Sequence, residues 1–288
     1  GWITQLLSPL AIRVPLFNPT PLLNALSPLA WLLFQPLLLG AWLIVGCVLG
    51  FFVLSEVLTT GLAASIDWHW LRGDSWWLHL VSYLVAKSLH ELGHGLACVR
   101  YGARCSELGV LLLCLAPCLY CDTSNSWKLP SKWQRATIAG AGMLIEWMLA
   151  TLAAGIWLST QPGTLHSVAA SLMIVCSVGT LLINCNPLLK YDGYYLLSDL
   201  WGVPNLSEQS SDAMRALSVS ALTGQPLVRW HLDAPVAKLA SYWFIATAYR
   251  TFIMAAILWI GWSLLVPLGL GLVAVLLTGS LGLGWFLG

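Results

Sequence analysis

The sequence predicts an all-α polytopic membrane protein with about six transmembrane helices and a short re-entrant or strand-like segment near its polar motifs. Hydrophobic residues make up 58% of the chain and charged residues 9%. A soluble domain carries about a quarter charged residues, so this chain lacks the polar surface needed to stay in water. At about 20 residues per spanning helix, its 288 residues leave room for six spans and their loops. Many of its 17 tryptophans flank the hydrophobic runs, where aromatic belts form at membrane interfaces. The net charge of +1 offers no footprint for nucleic acid.

Residues 1–28, rich in Pro and Leu, read as an interfacial segment, because prolines interrupt every long run. No signal sequence precedes the first hydrophobic run, and the chain reads as a piece of something longer. A transmembrane domain is expected over 29–288. Its first span is expected at about 30–58. A polar loop follows with Asp67, His69, Arg72 and Asp74, rimmed by Trp68, Trp70, Trp76 and Trp77. The second span is expected at about 76–100. Residues 103–121 are apolar but short and Pro-interrupted, hence the re-entrant or strand-pair reading, tolerated at depth only where protein covers the backbone. The third and fourth spans are placed at about 135–158 and 165–188, the fifth and sixth at 238–262 and 265–286. The Ser-rich stretch 201–235 reads as a partly helical loop outside the bilayer. Arg100, Arg104, Lys128, Lys132 and Arg135 fall in one loop, and Lys190, Arg215, Arg229 and Lys238 in another, against Arg72 alone on the other side. The positive-inside rule then puts both basic loops and the N-terminus in the cytoplasm.

Of the eight cysteines, Cys114, Cys118 and Cys121 have the look of a metal knuckle. With no fourth partner at a matching interval, they fit small buried thiols better.

The chemistry concentrates in SLHELGHGLAC, Ser88 to Cys98, where His90, Glu91 and His94 interrupt an oily run. Ionisable groups inside a span are costly and functional by default. Residues four apart differ by about 40° around a helix, so His90 and His94 share a face, close enough to share a metal. Glu91 stands one step round, able to reach a water without binding the metal. This is H-E-x-x-H, two zinc-binding imidazoles with a glutamate as general base. A proton relay would use the same residue types. A di-iron bundle needs a second Glu-x-x-His and more carboxylates, and the spans offer only Glu56 and Glu146. A catalytic zinc site needs a third protein ligand. Asp192, in NCNPLLKYDGYY, is the first candidate, with Asp199 second. Read as structure alone, Asp192 is a helix cap beside Gly193, expected to sit in a tight turn. Glu146 is expected either to orient a histidine or to pair with Lys87.

HELGH, with Asn184-Cys-Asn-Pro187 followed by Asp192-Gly193, resembles the site-2 protease (M50-type) family of intramembrane zinc metalloproteases, which pairs HExxH with N-x2-P-x4-DG. Leu189 and Tyr191 depart from the commonest form. The stretches LYCDTSNSWKLPSKWQR, AGAGMLIEWMLA and NPLLKYDGYYLLSDLWGVPNL are similar to a bacterial branch of peptide zinc metalloproteases, over about residues 10–262. That resemblance implies Zn2+ held by His90, His94 and Asp192, with Glu91 as the catalytic base and Asn184 contacting substrate. It also implies a bacterial inner-membrane enzyme with its active site toward the cytoplasm, acting on a membrane-inserted protein or an exported peptide in the lipid bilayer. An export-system partner belongs to the same expectation. The rival reading is a non-proteolytic zinc-binding membrane subunit of a peptide export or resistance system. No nucleic-acid partner is expected.

Overall fold

The computed structural model describes residues 11–61, 76–113, 116–224, 232–271 and 275. The expected polar loop holding Asp67, His69, Arg72 and Asp74, most of the expected sixth span, and Cys114 and Arg229 lie outside the described residues. The chain is mostly helical and divides into two compact units, residues 1–202 and 203–288.

The first unit opens with a strand, β1 (Ala11–Phe17), where the sequence suggested only an interfacial segment. It pairs antiparallel with β2 (Leu108–Leu113), which pairs antiparallel with β3 (Ala116–Cys121) in the order β1-β2-β3. The all-α expectation is corrected by this sheet, and the strand-like alternative for 103–121 describes that segment better than a re-entrant helix. The prolines obey sheet chemistry. Pro15 and Pro117 sit in the two edge strands, where a missing N–H spoils no inner ladder. Gly109, in the central strand, is required by crowding: a Cβ there would lie 2.4 Å from the Val14 carbonyl oxygen.

Two short helices, α1 (Thr20–Ala25) and α2 (Ser27–Leu33), precede α3 (Pro36–Thr60). The expected first span is therefore broken at Phe34-Gln35, because Pro36 opens a new helix at a position where its missing N–H costs nothing. Leu23, Ala30 and Phe34 bury themselves against Leu96, Ala97 and Ile138, so these residues join the protein core.

Helix α4 (Trp76–Tyr101) carries HELGH in its second half. A one-turn 3-10 segment (Ser124–Lys128) leads to α5 (Lys132–Ser159), the hub of the unit, which packs against α3, α4, α6 and α7. Small residues make that possible, among them Gly140, Ala141, Gly142, Ala150 and Ala153, all buried. Helix α6 (Thr164–Ile174) runs on through wider π-type turns, Val175–Asn184, and stops before Pro187. Helix α7 (Asp192–Trp201) starts after the NCNPLLKY turn and ends at left-handed Gly202. In the second unit α8 (Leu206–Thr223) packs with α9 (Val236–Leu265).

Four helices are long and apolar enough to cross a membrane: α3, α5, α6 with its continuation to Asn184, and α9. They match the expected spans one, three, four and five. Helix α4 has the length, at 26 residues, but Lys87, His90, Glu91 and His94 lower its apolarity below that of a plain span. The six-span count thus reduces to four among the described residues.

Candidate metal centre

The helical spacing of His90 and His94 has the predicted result. Their rings stand at 4.9 Å between centroids with the two Nε2 atoms 3.2 Å apart. Both side chains are buried. What the spacing does not supply is a reason for the rings to hold one rotamer, and that comes from α5. The His94 Nδ1 meets the Ile138 carbonyl oxygen at 2.8 Å, so it carries the proton and leaves Nε2 with a free lone pair. The His90 Nδ1 faces Glu146 Oε1 at 3.3 Å, which favours the same tautomer.

Asp192 completes the group from the start of α7. Its Oδ2 lies 2.9 Å from His90 Nε2 and 3.4 Å from His94 Nε2. Tyr191, not Asp192, holds the cap position of that helix, and the Asp192 carboxylate is aimed at the imidazoles. Burial disfavours its charged form, yet the neighbouring His94 and His90 rings hold the carboxyl below the usual carboxylate range. Gly193 explains how α7 comes so near: a Cβ there would meet the Cys185 carbonyl carbon and oxygen at 2.5 Å. The expected tight-turn role is replaced by a close backbone approach.

Three electron-rich atoms therefore converge with their lone pairs toward one point, and Asp192 Oδ2 is buried without a hydrogen-bond donor. A proton on one ring serves one of these contacts; a cation serves all three. An ion with tetrahedral bonds of about 2.0–2.1 Å spaces its ligand atoms about 3.3 Å apart, and the observed 3.2, 2.9 and 3.4 Å bracket that value. His90, His94 and Asp192 form a group that can hold a metal ion.

Glu146 takes both of the roles the sequence left open. It is fully buried, takes a hydrogen bond from Lys87 Nζ at 2.6 Å, and faces His90 with the same oxygen. Thr180 Oγ1 donates to its other oxygen, and Asn184 Nδ2 lies 3.5 Å from that oxygen. Asn184 thus sits on Glu146, behind the metal group. Gly142 is the residue sequence reading missed: a Cβ there would strike His90 Nε2 at 2.4 Å. Thr180 and the Ile138 carbonyl were equally silent, since nothing local marks a small residue or a backbone oxygen as a partner for a distant ring.

A cleft of about 390 Å³ opens onto this group, lined by Glu91, His94, Asp192, Tyr120 and Arg13 among others. His90 lies at its back. Cys121 lines the same cleft as Glu91, and α4 packs on β3 there, so the end of the hairpin forms the wall beside that carboxylate. Asp199, the second-choice ligand, is engaged elsewhere: Arg135 Nε donates to its Oδ1 at 2.7 Å while Arg135 Nη1 donates to the Leu129 carbonyl.

The chain matches no family model, no curated protein and no solved structure.

Proposed function

We propose that the chain is an intramembrane zinc metalloendopeptidase that cuts a membrane-inserted protein or a peptide bound for export. The observation that carries this reading is the convergence of His90, His94 and Asp192 at the head of a polar cleft that also presents Glu91. Two imidazoles and one carboxylate are the donor set of catalytic zinc sites that leave a fourth position open. Zinc held there supplies Lewis acidity, which acidifies water and polarises a carbonyl.

The chain's own residues do the rest. Glu91, lining the cleft beside the ligands but not among them, takes a proton from the attacking water and delivers it to the leaving amine. Glu146 and the Ile138 carbonyl keep both imidazoles in the tautomer that presents Nε2. The cleft admits the water that hydrolysis consumes. A helical substrate must unwind locally there, because its carbonyls are otherwise occupied by its own hydrogen bonds. The basic loops favour an inner-membrane protein with this cleft toward the cytoplasm.

Purified protein tests the proposal against a single-span substrate. Cleavage should occur, stop with 1,10-phenanthroline, and fall about 10²–10⁴-fold in Glu91→Gln, while that variant keeps its zinc. His94→Ala should lose both metal and cleavage. Undiminished cleavage by Glu91→Gln sinks the mechanism. Zinc binding without any cleavage points to the non-proteolytic export subunit instead.

A further inference from the structure

The β2–β3 hairpin carries a feature that metal chemistry does not use. Cys105, just before β2, and Cys121, the last residue of β3, bring their sulfurs to 2.7 Å. That is closer than unbonded thiols pack, and roughly 0.65 Å beyond the length of a disulfide bond, about 2.05 Å. The contact is anchored on both sides. The Cys105 carbonyl accepts a hydrogen bond from Thr20 Oγ1 at 3.1 Å, and the next residue on each strand joins across the same end, Ser106 Oγ donating to Asp122 Oδ2 at 2.9 Å. Cys105 is buried, whereas Cys121 is only partly buried and lines the cleft. Sulfur at this end of the hairpin is therefore within reach of a small molecule that enters the cleft.

We propose that Cys105 and Cys121 are a disulfide-forming site that latches the open end of the hairpin beside the metal group. The oxidant is a hydroperoxide. The Cys121 sulfur takes the peroxide's terminal oxygen, giving a sulfenic acid and, with hydrogen peroxide, one water. The Cys105 sulfur then attacks the Cys121 sulfur, the S–O bond breaks, and the oxygen leaves as a second water with the Cys105 proton. Two thiols are oxidised by two electrons and one peroxide is reduced.

The latch has a route to the chemistry, which rests on the proposed peptidase reading. Cys121 and Glu91 line one cleft and α4 packs on β3, so a covalent tie at Cys121 fixes the strand end beside the base. The tie should alter cleavage without touching a metal ligand.

The full chain in detergent, exposed to hydrogen peroxide, alkylated and cut after Glu107, tests the site itself. That cut separates Cys105 from Cys114, Cys118 and Cys121. Mass spectrometry should find the two fragments joined with the loss of two hydrogens, parted by dithiothreitol, and still joined in a Cys98→Ser, Cys114→Ser, Cys118→Ser triple variant, since Cys98 shares the fragment of Cys105. Two separately alkylated fragments, or a join lost in that triple variant, overturns the proposal. For the coupling, peroxide should lower the cleavage rate reversibly in the parent chain, with Cys105→Ser keeping the reduced-state rate and losing the response. An equal response in Cys105→Ser overturns the coupling. Because the cross-link is read by mass, it stands or falls separately from peptidase activity.

Discussion

At the scale of single residues the centre is a set of lone pairs held together against their own repulsion. His90, His94 and Asp192 point acceptors at one spot within 3.4 Å of one another, and Glu146 anchors the arrangement from behind. Outer partners of metal-bound histidines typically account for 10–100-fold in metal affinity. Glu146→Gln should therefore weaken zinc binding by about that factor, seen as a shifted competition curve against a chelating dye, with cleavage recovering at raised zinc. Unchanged affinity would remove Glu146 from the site. His90 and His94 were legible because a helix fixes the relation of residues four apart by local geometry alone. Glu146 announced itself as an ionisable group in an oily run, but its partner could not be read, since Lys87 and His90 both lie one helix away.

At the scale of elements the decisive relation is between α5 and α7. Arg135 and Asp199 join them through a mostly buried pair at 2.7 Å, and Asp192 sits on the same helix as Asp199, two turns earlier. Removing one partner of a buried pair costs about 3–5 kcal/mol, whereas apolar replacement of both is often neutral. Thermal melts should thus show Arg135→Leu well below the parent chain and Arg135→Leu with Asp199→Leu close to it. A double variant as unstable as the single would show that the pair is not what joins the helices. Gly193 is the other contact that sets α7. Gly193→Ala drives a methyl into the Cys185 backbone, which cannot yield like a side chain, so a cost of about 1–3 kcal/mol is expected. Zinc binding should fall with it as Asp192 is pushed away, and a Gly193→Ala chain with full zinc affinity would contradict the close-approach account. The hairpin shows where sequence reading stopped short. Residues 103–121 looked strand-capable, but β1 did not, because Pro15 resembles loop punctuation until an edge position excuses it.

At the scale of the whole molecule, four helices among the described residues are long and apolar enough to cross a membrane, and α3 and α9 leave almost none of their apolar windows buried. The chain should stay with the membrane fraction through alkaline carbonate and leave it only in detergent. Release by carbonate would overturn the membrane assignment. Metal bound to the native state alone adds stability by mass action, about 2.7 kcal/mol at a hundredfold excess over Kd. Chelation should accordingly lower the melting temperature of the parent chain, and leave a His94→Ala chain unmoved. The sequence by itself determined the membrane class, the two-histidine helix face and the place of Glu91 one step round from it, since composition and a 3.6-residue period are properties of the chain read locally. Only the tertiary structure decided that Asp192 faces the imidazoles, that Gly142 and Ile138 make room for and orient them, and that a sheet shares the cleft with Glu91. Those are contacts between segments far apart in the chain, and which segment meets which is settled by packing the whole against itself, not by any run of residues within it.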